Sequence, residues 1–271
     1  GPVANSSLPE NHRAPDARRP TPDALFSYLL RLGDDRLVLG HRLAEWCGHG
    51  PILEEDIALS NIALDFIGQA NLLLGLAGQV EGAGRDQDAL AYFRGEREFR
   101  NCQLVELPKG DFGFTIVRQF LFDAYDVLLT EALQRQSAHA DLAGIAAKAH
   151  KEARYHLRHS AEWMVKLGDG TAESHRRVQE PLDYLWRYTG EAFLGDALDA
   201  ELAGQRIAPD PAGLLPAWRA TVAEVLQAAT LRQPADGYML RGGRQGLHTE
   251  HLGHMLAEMQ SVARAPPGAA G

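Results

Sequence analysis

The chain has 271 residues, 45% of them hydrophobic, enough apolar side chain to bury a sizeable core and to exclude disorder over most of its length. Its formal net charge of -9 opposes the attraction that nucleic acids and anionic membranes rely on, so neither is expected as a partner. Cys47 and Cys102 are the only cysteines, too few for a disulfide framework or a thiolate metal site, and are read as free thiols of a cytoplasmic protein.

Residues 1–22, GPVANSSLPENHRAPDARRPTP, are rich in proline and polar side chains and are expected to form a disordered tail with no targeting signal. One helical domain is expected over 23–265, with a second disordered end over 266–271. Thr21-Pro22-Asp23 supplies a cap and a first-turn proline for DALFSYLLRL. Gly33 is expected to break this helix before a second stretch, RLVLGHRLAEW, and Gly48 to Pro51 then makes a turn. Periodicity next predicts helices in LEEDIALSNIALDFIGQANLLLGLAG, DALAYFRGEREFRNCQLV, FTIVRQFLFDAYDVLLTEALQRQ and DLAGIAAKAHKEARYHLRHSAEWMVKLG. After the turn GDGT come AESHRRVQEPLDYLWRYTGEAF, PAGLLPAWRATVAEVLQAATL and HTEHLGHMLAEMQSVAR. No strand ladder is expected; in NCQLVELPKGDFGF, Pro108 and the nearby glycines favour a connecting loop. Asn61, Asp65, Gln69 and Asn71 interrupt the most apolar run, which therefore reads as a helix buried in protein and not in lipid.

Three of these helices carry acids on an apolar background. Asn61, Asp65 and Gln69 recur every four residues and form one polar seam. Asp123 and Asp126 lie three apart, with Gln119 and Thr130 extending the line. At roughly 100° per residue, Glu152, His156, His159 and Trp163 fall within about 60° of one another, while Tyr155 points with Lys151, Arg158 and Glu162. With His41 and Glu45 on the early helix, four helices can bring acids and imidazoles to a common centre.

This is the outline of an all-α, ferritin-like helix bundle with additional C-terminal helices, in which two helices each give a Glu and two give Glu-x-x-His to a pair of irons. The outline is incomplete. Three residues after Asp65 stands Gly68, and three after Glu152 stands Tyr155, with the imidazole one place late at His156. Glu45, Asp65, Asp126, Glu152 and His156 are accordingly read as a degenerate seam whose members hydrogen-bond one another, and neither a metal site nor a catalytic residue is expected. The alternative is a metal-dependent oxygenase with its own iron site built from Glu152, His156 and neighbouring acids, His159 included in the same stripe. Hydrolysis by a nucleophile has no support, since no serine lies in a Gly-x-Ser-x-Gly elbow.

The segments LRLGDDRLVLGHRLAEWCGHGPILEEDIALSNIALDFIGQA, KEARYHLRHSAEWMVKLGDGT and GLHTEHLGHMLAEMQ resemble the C-subunit family of the ring-1,2-phenylacetyl-CoA epoxidase, a bacterial multicomponent monooxygenase. The resemblance runs from about Leu25 to Gln260; the ending RAPPGAAG lacks the tryptophan expected of the family. It implies a non-catalytic structural subunit serving aerobic phenylacetate degradation. The iron and the substrate site would belong to a partner A subunit, electrons would come from a separate reductase, and this chain would hold no cofactor. It also implies a hetero-oligomer; self-association of the chain when alone is expected separately, because a bundle without its own metal acts through contact.

LRGGRQGLHTE is a basic glycine-rich loop leading into a helix N-terminus. Arg241, Gly242, Gly243, Arg244 and His248 are the candidates there, either for an interface or for a phosphate of coenzyme A; a structural turn that docks the last helix is favoured. His248, His251 and His254 rotate too far per step to face one ion and are read as surface or interface histidines. The aromatic side chains of PLDYLWRYTGEAF suit either core or interface.

Overall fold

The apolar periodicity of the sequence is realised as ten α-helices in a computed structural model that describes residues 22–264. They are α1 (Pro22–Ala44), α2 (Leu53–Glu81), α3 (Gln87–Tyr92), α4 (Gln103–Glu106), α5 (Phe112–Gln136), α6 (Ala140–Gly168), α7 (Ala172–Leu185), α8 (Ala197–Gly204), α9 (Leu215–Ala228) and α10 (Glu250–Arg264). No strand occurs among the described residues. The tail expected over 1–22 and the end over 266–271 lie outside them, apart from Pro22, which opens α1.

Four long helices form a ferritin-like frame of two antiparallel hairpins. The α1–α2 hairpin is seen in Gly33 lying against Leu74 and Gly40 against Ala63 and Ile67. The α5–α6 hairpin is seen in Asp123 meeting Ser160 and Thr130 meeting His150. A crossover through α3 and α4 joins the two, as expected for this class of bundle. The hairpins pack along α2 and α6, where Glu55 reaches Trp163 and Asp65 reaches His156. α7 and α9 cover α5 and α6, α8 lies on α1, and α10 lies on α3.

Gly33 does not break the first helix. A Cβ there would come 2.7 Å from the Leu74 side chain, so its glycine thins α1 where α2 packs against it and the helix runs through it. The expected helix over DALAYFRGEREFRNCQLV is in turn divided into α3, a 3-10 turn at Glu96–Glu98 and α4. The cause is Asp34 of α1: its buried carboxylate draws in the Arg94 guanidinium and the Arg100 backbone N–H, which bends the chain around it. α7 likewise ends at Leu185 and gives way to 3-10 turns through Trp186–Tyr188 and Glu191–Phe193. α8, which has no counterpart among the expected helices, starts at a capping box in which Asp196 accepts from the Asp199 backbone N–H.

Candidate functional site

The two hairpins turn the polar seam toward the middle of the frame. Asp65 Oδ2 lies 2.9 Å from His156 Nε2, and the imidazole, fully buried, packs 4.7 Å from the centre of the Phe66 ring. Glu152 sits beside this pair. Burial first, and then the Asp65 carboxylate, hold its pKa above the usual carboxylate range, while Lys148 opposes the shift from 3.9 Å. Asp65, Glu152 and His156 are thus brought together, as the spacing suggested.

Asp126 has another partner. The Arg36 guanidinium bridges α1, α2 and α5: it is ion-paired to Asp126 Oδ1 at 2.5 Å, donates through Nε to Gln69 Oε1 at 2.8 Å, and reaches the Leu32 carbonyl at 3.2 Å. Both charged side chains are almost wholly buried, at 2% and 1% exposure. Burial holds the Asp126 carboxyl above the usual carboxylate range, and the Arg36 charge, followed by His156, only partly opposes the shift. No helical spacing rule singles out Arg36. The signal lies instead in LRLGDDRLVLG, where four charges sit within an apolar helix, each needing a partner if buried. The fold supplies one for every charge: Asp196 and Asp199 for Arg31, Arg94 for Asp34, Arg244 for Asp35 and Asp126 for Arg36.

The remaining seam residues also look to neighbours. Glu45, expected on the early helix, lies in the turn just past the end of α1 and is ion-paired to Arg42 of that helix at 2.9 Å. Asp123 accepts from Gln119 at 2.6 Å and from Ser160 at 2.9 Å, and burial holds its carboxyl well above the ordinary range. Glu55 accepts the Trp163 indole N–H at 2.9 Å, and its other oxygen lies 2.7 Å from His159 Nε2 without hydrogen-bond alignment. Burial lowers the His41 pKa, favouring the neutral ring.

These residues do not fit a two-iron centre. Among the described residues, no group of three His, Cys, Asp or Glu is placed to hold a metal ion. Gly68 offers no ligand atom, Tyr155 is 42% exposed with the Arg158 guanidinium over its ring, and His156 turns Nε2 to Asp65. Of the alternative set, His156 faces Asp65 while His159 faces a different carboxylate of α2, Glu55. At Asp126 a guanidinium already supplies the positive charge.

A family model described as "Phenylacetic acid catabolic protein" matches residues 9–270. The chain belongs to this family. A relative from Escherichia coli (strain K12), the C subunit of 1,2-phenylacetyl-CoA epoxidase, is 50% identical over 244 residues, covering 90% of this chain and 98% of the relative.

In this member of the phenylacetic acid catabolic family, the glycine-rich loop binds an internal anion. Gly242 N and Arg244 N donate to Glu191 Oε2 at 2.9 and 3.4 Å, and Gln103 N donates to Oε1 at 2.8 Å. The Arg244 side chain makes a two-pronged pair with Asp35 at 2.8 and 2.9 Å. Gly243 lies so close to the Asn101 carbonyl that a Cβ would come within 2.2 Å of it. A coenzyme A phosphate is therefore not what these amides cradle; the loop is the structural turn, and of its candidates only Arg241 is exposed. The aromatic segment is mainly core: Trp186, Tyr188 and Phe193 are buried, and Trp186 packs on Trp218 at 5.5 Å. Cys47 and Cys102 are free thiols.

His248 is not a surface histidine. Its Nδ1 lies 2.7 Å from Glu106 Oε1 and its Nε2 2.8 Å from the Phe99 carbonyl, so both ring nitrogens face acceptors and the doubly protonated ring satisfies both. Burial lowers its pKa, but the Glu106 carboxylate and the Phe99 carbonyl outweigh that and raise it. The linked stabilisation is fully present below the unfolded value of about 6.5 and is lost as pH rises through the higher folded value. Wild-type melting temperature should decline over that interval, and a His248→Gln variant should show a flatter profile there. Parallel profiles in a thermal melt series would show that the ring stays neutral.

Proposed function

We propose that this chain is a non-catalytic, structural subunit of a phenylacetyl-CoA 1,2-epoxidase, acting in the cytoplasm beside a separate di-iron A subunit and holding no cofactor of its own. The observation that carries the reading is Arg36. A buried guanidinium neutralises Asp126 and ties Gln69 to it, so the donors that would converge on a cation converge on a side chain instead. The Escherichia coli relative, whose name makes it the C subunit of an epoxidase, supports the assignment to the complex, and Gly68 and Tyr155 in the two imidazole positions support the loss of iron. A chain in this role works through contact with its partner and self-associates when the partner is missing.

Metal analysis tests the reading. The chain purified alone from iron-replete cells should contain well under one iron per polypeptide. About two irons per chain, with a ferrous form that reacts with oxygen, would assign the oxygenase chemistry to this subunit and reject the structural role.

A further inference from the structure

The sequence contains two Asp-Gly pairs, Asp169-Gly170 and Asp236-Gly237, and both lie on the surface. Such a pair can isomerise without a catalyst. The glycine amide nitrogen attacks the aspartate Cγ, a C–N bond forms, a C–O bond breaks with loss of water, and a five-membered succinimide results. Water then opens the ring. Attack at the main-chain carbonyl carbon leaves the chain running through Cγ, as isoaspartate with a free α-carboxylate, whereas attack at Cγ restores aspartate. One water leaves and one enters, so the step is balanced without an oxidant or reductant. Glycine favours it because no Cβ shields the attacking nitrogen. The ring also requires that nitrogen to eclipse the aspartate Cβ about the Cα–C bond, and with a planar peptide this alignment is set by the aspartate ψ alone.

Asp169 is held away from that alignment. At its ψ of 24° the next nitrogen stands on the far side of the Cα–C bond from Cβ. The turn is also fixed. Asp169 N–H donates to the Val165 carbonyl at 2.9 Å, Thr171 and Ser174 cap each other's backbone N–H at 3.0 Å, and the Ser174 hydroxyl donates to the Leu167 carbonyl at 2.6 Å. Asp236 has the opposite setting. Residues 231–241 form no helix or strand, and over 233–239 no backbone N–H has an acceptor among the described residues, so little opposes rotation about ψ. The Asp236 carboxylate is 60% exposed, and its contacts are long: the Trp186 indole N–H at 3.3 Å and Arg219 at 3.7 Å. From this contrast we infer that Asp236-Gly237 is a site of spontaneous isoaspartate formation, and that the turn protects Asp169-Gly170. Isoaspartate lengthens the main chain by one carbon and shortens the side arm by one, which withdraws the acceptor from Trp186, a buried side chain.

Ageing of the full chain at neutral pH, native and in urea, followed by tryptic mapping, tests the site. Cleavage yields one peptide for each pair, 233–241 and 167–176, and each holds a single aspartate. Isoaspartate is counted by methyl transfer from S-adenosylmethionine to the free α-carboxylate, catalysed by an isoaspartyl methyltransferase. In the native chain the 233–241 peptide should accumulate it at least about tenfold faster than the 167–176 peptide, and in urea, where neither turn survives, the two rates should agree within about twofold. Gly237 has no positive φ and open space around it, so Gly237→Ala should keep the melting temperature while slowing the reaction roughly tenfold. Equal native rates in the two peptides would show that the 169–171 turn protects nothing. Isoaspartate in 233–241 that forms in urea but not in the native chain would show that the Trp186 and Arg219 contacts lock Asp236. Either result overturns the inference, as does a Gly237→Ala chain that ages like wild type.

Discussion

Replacing Arg36 with Leu should lower the folding stability by about 3–5 kcal/mol, the usual cost of removing one partner from a buried ion pair. The change strands Asp126, which is 1% exposed and whose second carboxylate oxygen already lacks a partner, and it frees the Gln69 side-chain oxygen as well. Adding Asp126→Leu should recover most of the loss, since two apolar side chains of similar bulk carry no desolvation penalty. The sign of the pH dependence follows from Asp126. Without Arg36, burial raises its folded pKa further above the unfolded value of about 3.9, so its contribution is favourable below that value and is lost as pH rises through the folded one. The deficit of Arg36→Leu should thus be smaller near pH 4 than near pH 7. Urea denaturation of the four proteins of the cycle measures both quantities, and a loss under about 1 kcal/mol would show that the pair is not what fills the centre of the bundle.

The second large effect is expected at Glu191. Its carboxylate, 3% exposed, accepts from the backbone N–H groups of Gln103, Gly242 and Arg244. Glu191→Ala leaves these donors without their acceptor, at about 1–3 kcal/mol for each one that water cannot reach, so a loss of at least about 3 kcal/mol is expected. Glu191→Gln keeps the shape but turns an amide N–H toward one set of donors, and should fall between wild type and Ala. Hydrogen exchange should locate the damage in the 239–249 loop and in α4, which the carboxylate joins. Exchange rates that rise uniformly across the chain, with the loop no faster than the rest, would contradict a local clamp.

A glycine-rich, basic sequence before a helix admits two readings. Backbone amides that cradle a phosphate and amides that cradle a carboxylate have the same local sequence. Only the arrival of Glu191 from 51 residues away decides which anion is bound. The same holds for Gly33, which periodicity treats as a break because a glycine weakens a helix, and which packing against Leu74 turns into a point of close approach.

Most of the long helices, the polar line through Asp65 and Gln69, the common face of Glu152 and His156, and the lack of a side-chain imidazole three places after either acid are legible in the sequence. These are local properties, set by residues within about one turn of each other, and a 3.6-residue period reads them directly. Tertiary structure alone decided the pairing of the charges: Arg36 with Asp126 across 90 residues, Asp34 with Arg94 across 60, and Asp35 with Arg244 across 209. The reason is that a buried charge is stable only beside its opposite, and which opposite lies within about 3 Å depends on how distant helices cross, a relation that no window of neighbouring residues contains.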